Sequence, residues 1–198
     1  MSNILILASG SAARKTMLRN AGYQFDIKPA DINEQSVIDQ GLEEGVNFQE
    51  IALSLSLEKS KAVAANHKDR YIIGSDQLLV CEDVIYSKAQ SIEEAKKKLQ
   101  RLRGKKHQLI SAVNVIKNDD VLFQDCDVAT LTMKNVDDEW LDQYLRRSID
   151  VAVSCVGSYA IEGYGIRLFK KIDGDFFTIM GMPLMGLIDF LDREGIGS

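Results

Sequence analysis

Apolar and polar residues alternate in blocks along the 198-residue chain, and these blocks predict both strands and helices. The continuous apolar run from Asn3 to Ala8 predicts a strand that is buried on both faces. Further strands are predicted at 24–30, 71–80, 108–116, 121–133, 166–172 and 176–180. The strands at 108–116 and 121–133 flank a polar turn, so they predict a hairpin.

Helices are predicted where apolar residues recur three or four positions apart, at 12–20, 48–66, 91–102, after Asp137 and from Pro183 onward. The polar stretch Asp31–Gly45 predicts a long loop, and Gly157–Gly165 predicts a glycine-punctuated connection. Strands and helices alternate early while the middle of the chain is hairpin-like. This order predicts an α/β fold with a mixed β-sheet, in two lobes of a single domain, 1–198, without a separable linker.

Composition excludes several classes of protein. The hydrophobic fraction of 45% can bury a substantial core, and the net charge of -5 comes from interspersed acids and bases. No basic face predicts nucleic-acid binding, and no apolar run reaches the ~18 residues that predict a membrane span. The apolar start is too short for a signal peptide, and the three cysteines lack metal-site spacing. We therefore expect a cytoplasmic protein with reduced thiols.

The first candidate site is the turn Ser9-Gly10-Ser11 between the first strand and first helix, followed by Arg14 and Lys15. A helix N-terminus presents unpaired N–H groups, glycine allows close approach of a phosphate, and a guanidinium can bind phosphate oxygens. The alternative is an ordinary helix capped by Ser11, with Arg14 and Lys15 solvated.

The second candidate is Asp76, which follows Gly74 and Ser75 inside an otherwise apolar strand. A carboxylate there is costly to desolvate unless it meets a cation, a metal or hydrogen-bond donors. With Glu34 of the long loop it could form an oxygen-rich Mg²⁺ site, since Mg²⁺ takes one or two carboxylates plus water and substrate phosphates. The alternatives are an aspartate that caps a loop and a solvated Glu34.

Lys59 and Lys88 are possible phosphate partners, and the alternative for each is a surface lysine. Glu162 lies beside glycine in a turn from which it could reach a base edge; the alternative is an exposed turn acid. His67 and His107 indicate neither a metal triad nor a nucleophilic relay.

Seven ordered blocks cover nearly the whole chain and together resemble the Maf family, the septum-formation inhibitor-like nucleotide pyrophosphatases. The blocks are LILASGSAARKTMLRNAGYQF, PADINE, LEKSKA, IIGSDQ, the lysine of YSKA, GSYAIEGYGI and GDFFTIMGMPL. The resemblance implies an inosine-triphosphatase-like (Maf/HAM1) fold whose two lobes flank a central nucleotide-binding cleft. It also implies dependence on Mg²⁺ or Mn²⁺, hydrolysis of a nucleoside triphosphate to a monophosphate and pyrophosphate, and a possible homodimer.

Carried over by position, the resemblance assigns catalytic roles to Asp76, Lys59 and Lys88, and metal binding to Glu34 and Asp76. It assigns substrate binding to Ser9, Gly10, Ser11, Ala13, Arg14, Lys15, Gln77 and Glu162.

The chain departs from the family pattern in three places. Ala12 and Ala13 replace the proline and first arginine of SPRR, and Ala89 replaces the proline of GKP, which should loosen the loop around Lys88. Gln77 with Glu162 resembles the branch that prefers 7-methyl-GTP rather than the dTTP/UTP branch, although Ala13 stands where that branch often has a large aromatic residue. We expect an active house-cleaning enzyme; the competing class is a nucleotide-binding regulator of cell division, which Ala12 and Ala13 favour.

Overall fold

The computed structural model describes residues 4–196, so Asn3 of the first predicted strand and both ends of the predicted domain lie outside the described residues. The strands are β1 Leu5–Leu7, β2 Asp26–Ile27, β3 Tyr71–Cys81, β4 Val84–Tyr86, β5 Lys106–Lys117, β6 Asp120–Met133 and β7 Phe169–Asp173. The helices are α1 Ala12–Asn20, α2 Glu34–Glu44, α3 Phe48–Ala64, α4 Ile92–Leu102, α5 Asp138–Arg147, α6 Ile149–Ser154, α7 Phe176–Met180 and α8 Leu184–Arg193, with a 3₁₀ helix at Tyr164–Leu168.

Within these residues the strands form one seven-stranded sheet in the order β2-β1-β3-β5-β6-β7, with β4 paired to β3. The pairs β1–β2 and β1–β3 are parallel, whereas β3–β4 and β6–β7 are antiparallel. The predicted hairpin is present, and its tight turn includes Asn118 at φ 57°. The prediction of a mixed α/β sheet is confirmed.

The chain divides into two compact units. Unit 1 contains 1–77, 110–127 and 181–198, and unit 2 contains 78–109 and 128–180. In unit 1, Ile6 and Ile72 of neighbouring strands pack with Val63 of α3. Unit 2 has its own larger cluster, built around Leu99, Tyr144 and other buried side chains. That 1–198 form a single domain stays a prediction.

Two predicted elements are wrong, and in both cases a local cap explains the difference. The predicted loop Asp31–Gly45 contains helix α2, because Asn33 Oδ1 accepts the Ser36 N–H at 3.1 Å and Gly45 ends the helix at φ 71°. The predicted strand 176–180 is helix α7, since Asp175 Oδ1 accepts the N–H groups of residues 177 and 178 at 2.9 and 3.0 Å. The sequence analysis considered neither cap.

Other boundaries shifted. The strand predicted at 166–172 begins at Phe169 because a 3₁₀ helix precedes it, and the strand predicted at 24–30 is reduced to Asp26–Ile27. β4 and α6 were not predicted; β4 follows a turn in which Glu82 and Asp83 adopt positive φ. Between residues 4 and 196, no helix is both long and apolar enough to cross a membrane.

His107 lies in the core of unit 2 and is 2% exposed. Its Nε2 is 2.6 Å from the hydroxyl of Tyr159, and its ring contacts Phe169. Its Nδ1 has no hydrogen-bond partner among the described residues. Burial lowers the pKa of His107 to about 4, because a charged imidazole would lose its hydration.

We expect this histidine to make stability depend on pH. The folded pKa of about 4 lies below the ordinary histidine pKa of 6.5, so the unfolded chain binds more protons at pH 5. The contribution is present above pH 6.5 and lost as the pH falls toward 4. Urea unfolding at pH 7.5 and pH 5 should show wild type losing about 2 kcal/mol more than His107→Gln. His67→Gln is the matched control and should retain the wild-type loss; equal losses in wild type and His107→Gln would contradict the prediction.

Candidate active site

The turn after β1 is built as the sequence predicts. Ser9 Oγ accepts the N–H of Ser11 at 3.3 Å, and Ser11 Oγ accepts the N–H of Arg14 at 3.4 Å, which caps α1. Gly10 is exposed, and a Cβ there would come no closer than 3.8 Å to Pro29. A Cβ at this position would therefore make only ordinary van der Waals contacts. Ala13 and Lys15 are half-buried on the following turn.

Arg14 is buried, so the alternative of a solvated arginine is wrong. Its Nε donates to the carbonyl of Gly181 at 2.9 Å, and Nη1 donates to the carbonyl of Ser75 at 2.7 Å and to Ser9 Oγ at 3.2 Å. Burial lowers the pKa of Arg14, while the charges of Asp76 and Glu34 act in the opposite direction.

Gly181 is a functional neighbour that the sequence analysis missed. Its carbonyl accepts both Arg14 Nε and the hydroxyl of Ser75, at 2.9 and 3.2 Å. Its φ of 111° is unfavourable for other residues, and a Cβ there would lie 3.6 Å from the guanidinium. In the sequence, Gly181 lies two positions before Pro183 and within the block GDFFTIMGMPL.

Lys59, Asp76 and Glu34 form a trio of charges. Lys59 lies on the buried face of α3, and its Nζ contacts Glu34 Oε1 at 2.6 Å and pairs with Asp76 Oδ1. The side chains of Lys59 and Asp76 are 11% and 10% exposed, whereas that of Glu34 is 56% exposed. Asp76 lies within β3 rather than at its end, so its reading as a loop cap is wrong, as is that of Lys59 as a surface lysine.

A polar seam fixes α3 against β5, the sheet neighbour of β3, next to this trio. Asn114 Nδ2 donates to Ser56 Oγ at 2.9 Å, Ser60 Oγ lies 2.7 Å from Asn114 Oδ1, and all three residues are fully buried. Gly74 allows the approach, because a Cβ there would lie 2.1 Å from the Ser56 carbonyl oxygen. The seam sets which residue of α3 faces Asp76, and that residue is Lys59.

The two carboxylates fit a divalent cation. Oxygens of Glu34 and Asp76 already converge on one positive charge, the ammonium of Lys59. Residues 4–196 contain no group of three or more His, Cys, Asp or Glu side chains arranged for a metal. Two carboxylates suffice for Mg²⁺ when water and substrate phosphates complete its coordination.

The remaining predicted residues are less constrained. Gln77 is half-buried, and its Nε2 donates to Ser111 Oγ at 3.0 Å in unit 1. Lys88 and Glu162 are exposed and belong to unit 2. The structure thus brings together Arg14, Lys59, Asp76 and Glu34, while Lys88 and Glu162 are assigned to the site by the family resemblance alone.

A mixed α/β sheet thus carries a capped glycine turn and a buried lysine that pairs with two carboxylates, an arrangement that would suit a phosphate-containing ligand and a general base. The family model described as Maf-like protein matches residues 4–194. The chain therefore belongs to the Maf family.

Relatives match over nearly their full length. The chain is 40% identical over 190 residues to a 7-methyl-GTP pyrophosphatase of Brucella abortus, covering 96% of each protein. It is 41% identical over 190 residues to a nucleoside triphosphate pyrophosphatase of Bradyrhizobium diazoefficiens, covering 96% of this chain and 93% of that one. A solved Staphylococcus aureus Ham1 protein is similar at 20% identity and a TM-score of 0.38, over 66% of this chain and 70% of that one.

We expect Gly74→Ala to destabilise the protein by at least about 2 kcal/mol, because the added Cβ would collide with backbone rather than with a flexible side chain. Gly163→Ala is the matched control: its Cβ would lie 3.9 Å from the nearest atom, so we expect a change within about 0.5 kcal/mol. Urea unfolding measures both. A Gly74→Ala variant as stable as wild type would contradict the packing of α3 on β3.

Proposed function

We propose that this protein is a nucleoside triphosphate pyrophosphatase that cleaves the bond between the α and β phosphates. The observation that carries the proposal is the buried carboxylate of Asp76. It pairs with the ammonium of Lys59, which also pairs with Glu34. The names of the Maf relatives support the same reaction. Both lines favour a hydrolase of phosphoric anhydrides over a pure binding protein.

The proposed chemistry uses residues with distinct roles. Asp76 orients a water molecule and accepts its proton as the oxygen attacks the α phosphorus. The bond between the α phosphorus and the oxygen that bridges to the β phosphorus breaks. Pyrophosphate is the leaving group, and the nucleoside monophosphate is the other product. Lys59, Arg14 and Lys88 stabilise the negative charge that develops on the phosphates, as cationic clamps do in other phosphoryl-transfer sites. The turn Ser9–Ser11 and Lys15 contact the phosphates.

Glu34 and Asp76 would hold Mg²⁺ or Mn²⁺. When bound, the metal would neutralise charge on the phosphate oxygens. The ammonium of Lys59 compensates the same two carboxylates when no other cation does so. Its positive charge thereby reduces the repulsion between the carboxylates of Glu34 and Asp76 in this partly buried site.

We further propose a preference for 7-methyl-GTP or another modified nucleotide, in a house-cleaning role. The 7-methylguanine base is cationic and presents N–H donors on its base-pairing edge, which suits a carboxylate such as Glu162. Gln77 supplies an amide on the strand that carries Asp76. The name of the Brucella relative supports this preference.

The regulator of cell division or septum formation is not favoured, because the charged trio and Arg14 are present and paired. Ala12 and Ala13 remain the features that distinguish this chain from the usual opening. The arginine absent at position 13 would supply one charged hydrogen bond, worth about 1.5–3 kcal/mol, so its loss weakens the site without removing the chemistry. Cytoplasmic location, lack of nucleic-acid binding and a homodimer stay predictions.

Asp76→Asn should lower kcat for pyrophosphate release by about 10²–10⁴ because it removes the proton acceptor. Wild-type activity should require Mg²⁺ or Mn²⁺ and disappear with a chelator. Glu58→Gln is the control, because Glu58 is exposed and directly precedes Lys59 in the chain, and this variant should keep the wild-type kcat. Turnover that does not depend on Asp76 would refute the mechanism, while nucleotide binding without any turnover would favour the regulator.

The preferred base can be measured with pyrophosphate release from 7-methyl-GTP, GTP, dTTP and UTP. We expect kcat/KM for 7-methyl-GTP to exceed those for dTTP and UTP by about 10-fold or more. Glu162→Gln should reduce the preference for 7-methyl-GTP over GTP, because the neutral amide no longer attracts the cationic base. A preference for dTTP or UTP, or no effect of Glu162→Gln, would contradict this assignment.

A further inference from the structure

Helix α4 carries a lysine on its buried face. Its inward positions hold Ala95, Leu99 and Leu102, and Lys98 lies among them with 7% exposure. Burial lowers the pKa of Lys98 to about 8, and the charge of Glu94 only partly opposes this. A charged side chain at such a position is costly unless hydrogen bonds compensate its lost hydration.

The ammonium of Lys98 joins two segments of unit 2. It donates to the carbonyl of Ser87 at 2.5 Å and to the carbonyl of Val156 at 2.8 Å. Ser87 directly precedes Lys88, and Val156 begins the segment that leads to Glu162. One side chain therefore restrains both segments that carry the exposed charges of the proposed site.

Each segment also has a second attachment. Ala89, directly after Lys88, is 5% exposed and packs in the core of unit 2. Beyond Val156, the carbonyl of Ser158 accepts the hydroxyl of Tyr144 at 3.0 Å. Lys88 is thus held on both sides in the chain, at the Ser87 carbonyl and at the Ala89 side chain, although it is itself exposed.

Lys88 and Glu162 both act on the thiol of Cys155, which precedes Val156. Burial raises the pKa of Cys155, a hydrogen bond with Ser154 lowers it, the charge of Glu162 raises it and that of Lys88 lowers it. Both charged side chains therefore lie within electrostatic range of one residue next to the Lys98 attachment.

We propose that Lys98 is a positioning residue that holds the Lys88 and Glu162 segments in place for the substrate. The inference rests on the proposed function, in which those two residues contact the nucleotide. Two donated hydrogen bonds from one ammonium restrain a loop in which Ala89 replaces the proline of the family pattern. Lys98 itself is buried and paired with backbone, so it acts through Lys88 and Glu162 and does not touch the substrate.

A double-mutant cycle separates positioning from general stability. Lys98→Met removes the donors but retains a long side chain, and it is compared with Lys97→Met on the exposed face of the same helix. Lys98→Met should lower kcat/KM for pyrophosphate release by about 10-fold in the wild-type background. In a background that carries both Lys88→Ala and Glu162→Ala the same change should cost no more than about 2-fold, because neither of the positioned residues is present. Lys97→Met should leave both backgrounds unchanged.

Amide hydrogen exchange provides a readout that does not depend on turnover. Lys98→Met should increase exchange by about 5-fold or more in peptides covering 84–90 and 155–160, while Lys97→Met should not. If Lys98→Met yields no folded protein, Lys98→Gln, which keeps an amide donor but is shorter and uncharged, takes its place in both measurements.

The two proposals fail in different ways. Equal losses in both backgrounds, or unchanged exchange in the two peptides, would overturn the positioning role while leaving Asp76-dependent turnover intact. Absence of turnover in wild type would overturn the proposed function. The cycle would then be measured as the Kd for a triphosphate analogue with a methylene α–β bridge. If Lys98→Met changed that Kd equally in both backgrounds, the positioning role would again be overturned.

Discussion

The ammonium of Lys59 lies between the carboxylates of Asp76 and Glu34, and the packing of unit 1 around α3 holds it there. A carboxylate inside a central strand is tolerated only when a cation or donors compensate its charge. Removing one partner of such a buried pair typically costs about 3–5 kcal/mol, because the remaining charge stays buried. This interaction therefore constrains the packing of α3 on β3 as well as the chemistry at Asp76. The close approach of α3 to Gly74 and the hydrogen bonds of Asn114 satisfy that constraint, since they set the position of α3 at which Lys59 reaches Asp76 of β3.

In both units a buried cationic side chain joins separate segments through hydrogen bonds. In unit 1, Arg14 ties the turn after β1 to the backbone of Ser75 and Gly181. In unit 2, Lys98 ties the segments that precede Lys88 and Glu162. In both cases the donors are directed to backbone carbonyls. Arg14 binds those of Ser75 in β3 and of Gly181 before α8, and Lys98 binds those of Ser87 and Val156 in connecting segments. A cation with several donors can order such segments while leaving their other side chains exposed for a ligand.

Site residues are easiest to predict from the sequence where a residue conflicts with the pattern of its neighbours. Asp76 stood out because a carboxylate does not suit an apolar strand, and the structure places it, buried and paired, inside β3. Lys98 breaks the apolar face of α4 in the same way, but the sequence analysis did not consider it. Helix α2 was mistaken for a loop because its polar residues concealed two short-range signals, the Asn33 cap and the Gly45 stop. Such caps depend on the local backbone conformation, which composition does not reveal.

The family, the mixed α/β class, the Ser11 cap and the candidate residues could all be predicted from the sequence, because these depend on local order and on residue types. The sequence could not determine which candidates touch one another. Lys59 and Asp76 are 17 positions apart and Arg14 and Gly181 are 167 apart, so only the packing of distant elements could bring them together. The pairing of Lys59 with Asp76 and of Arg14 with backbone carbonyls depends on the packing of the whole fold, because a buried charge binds the partners that the fold places within reach.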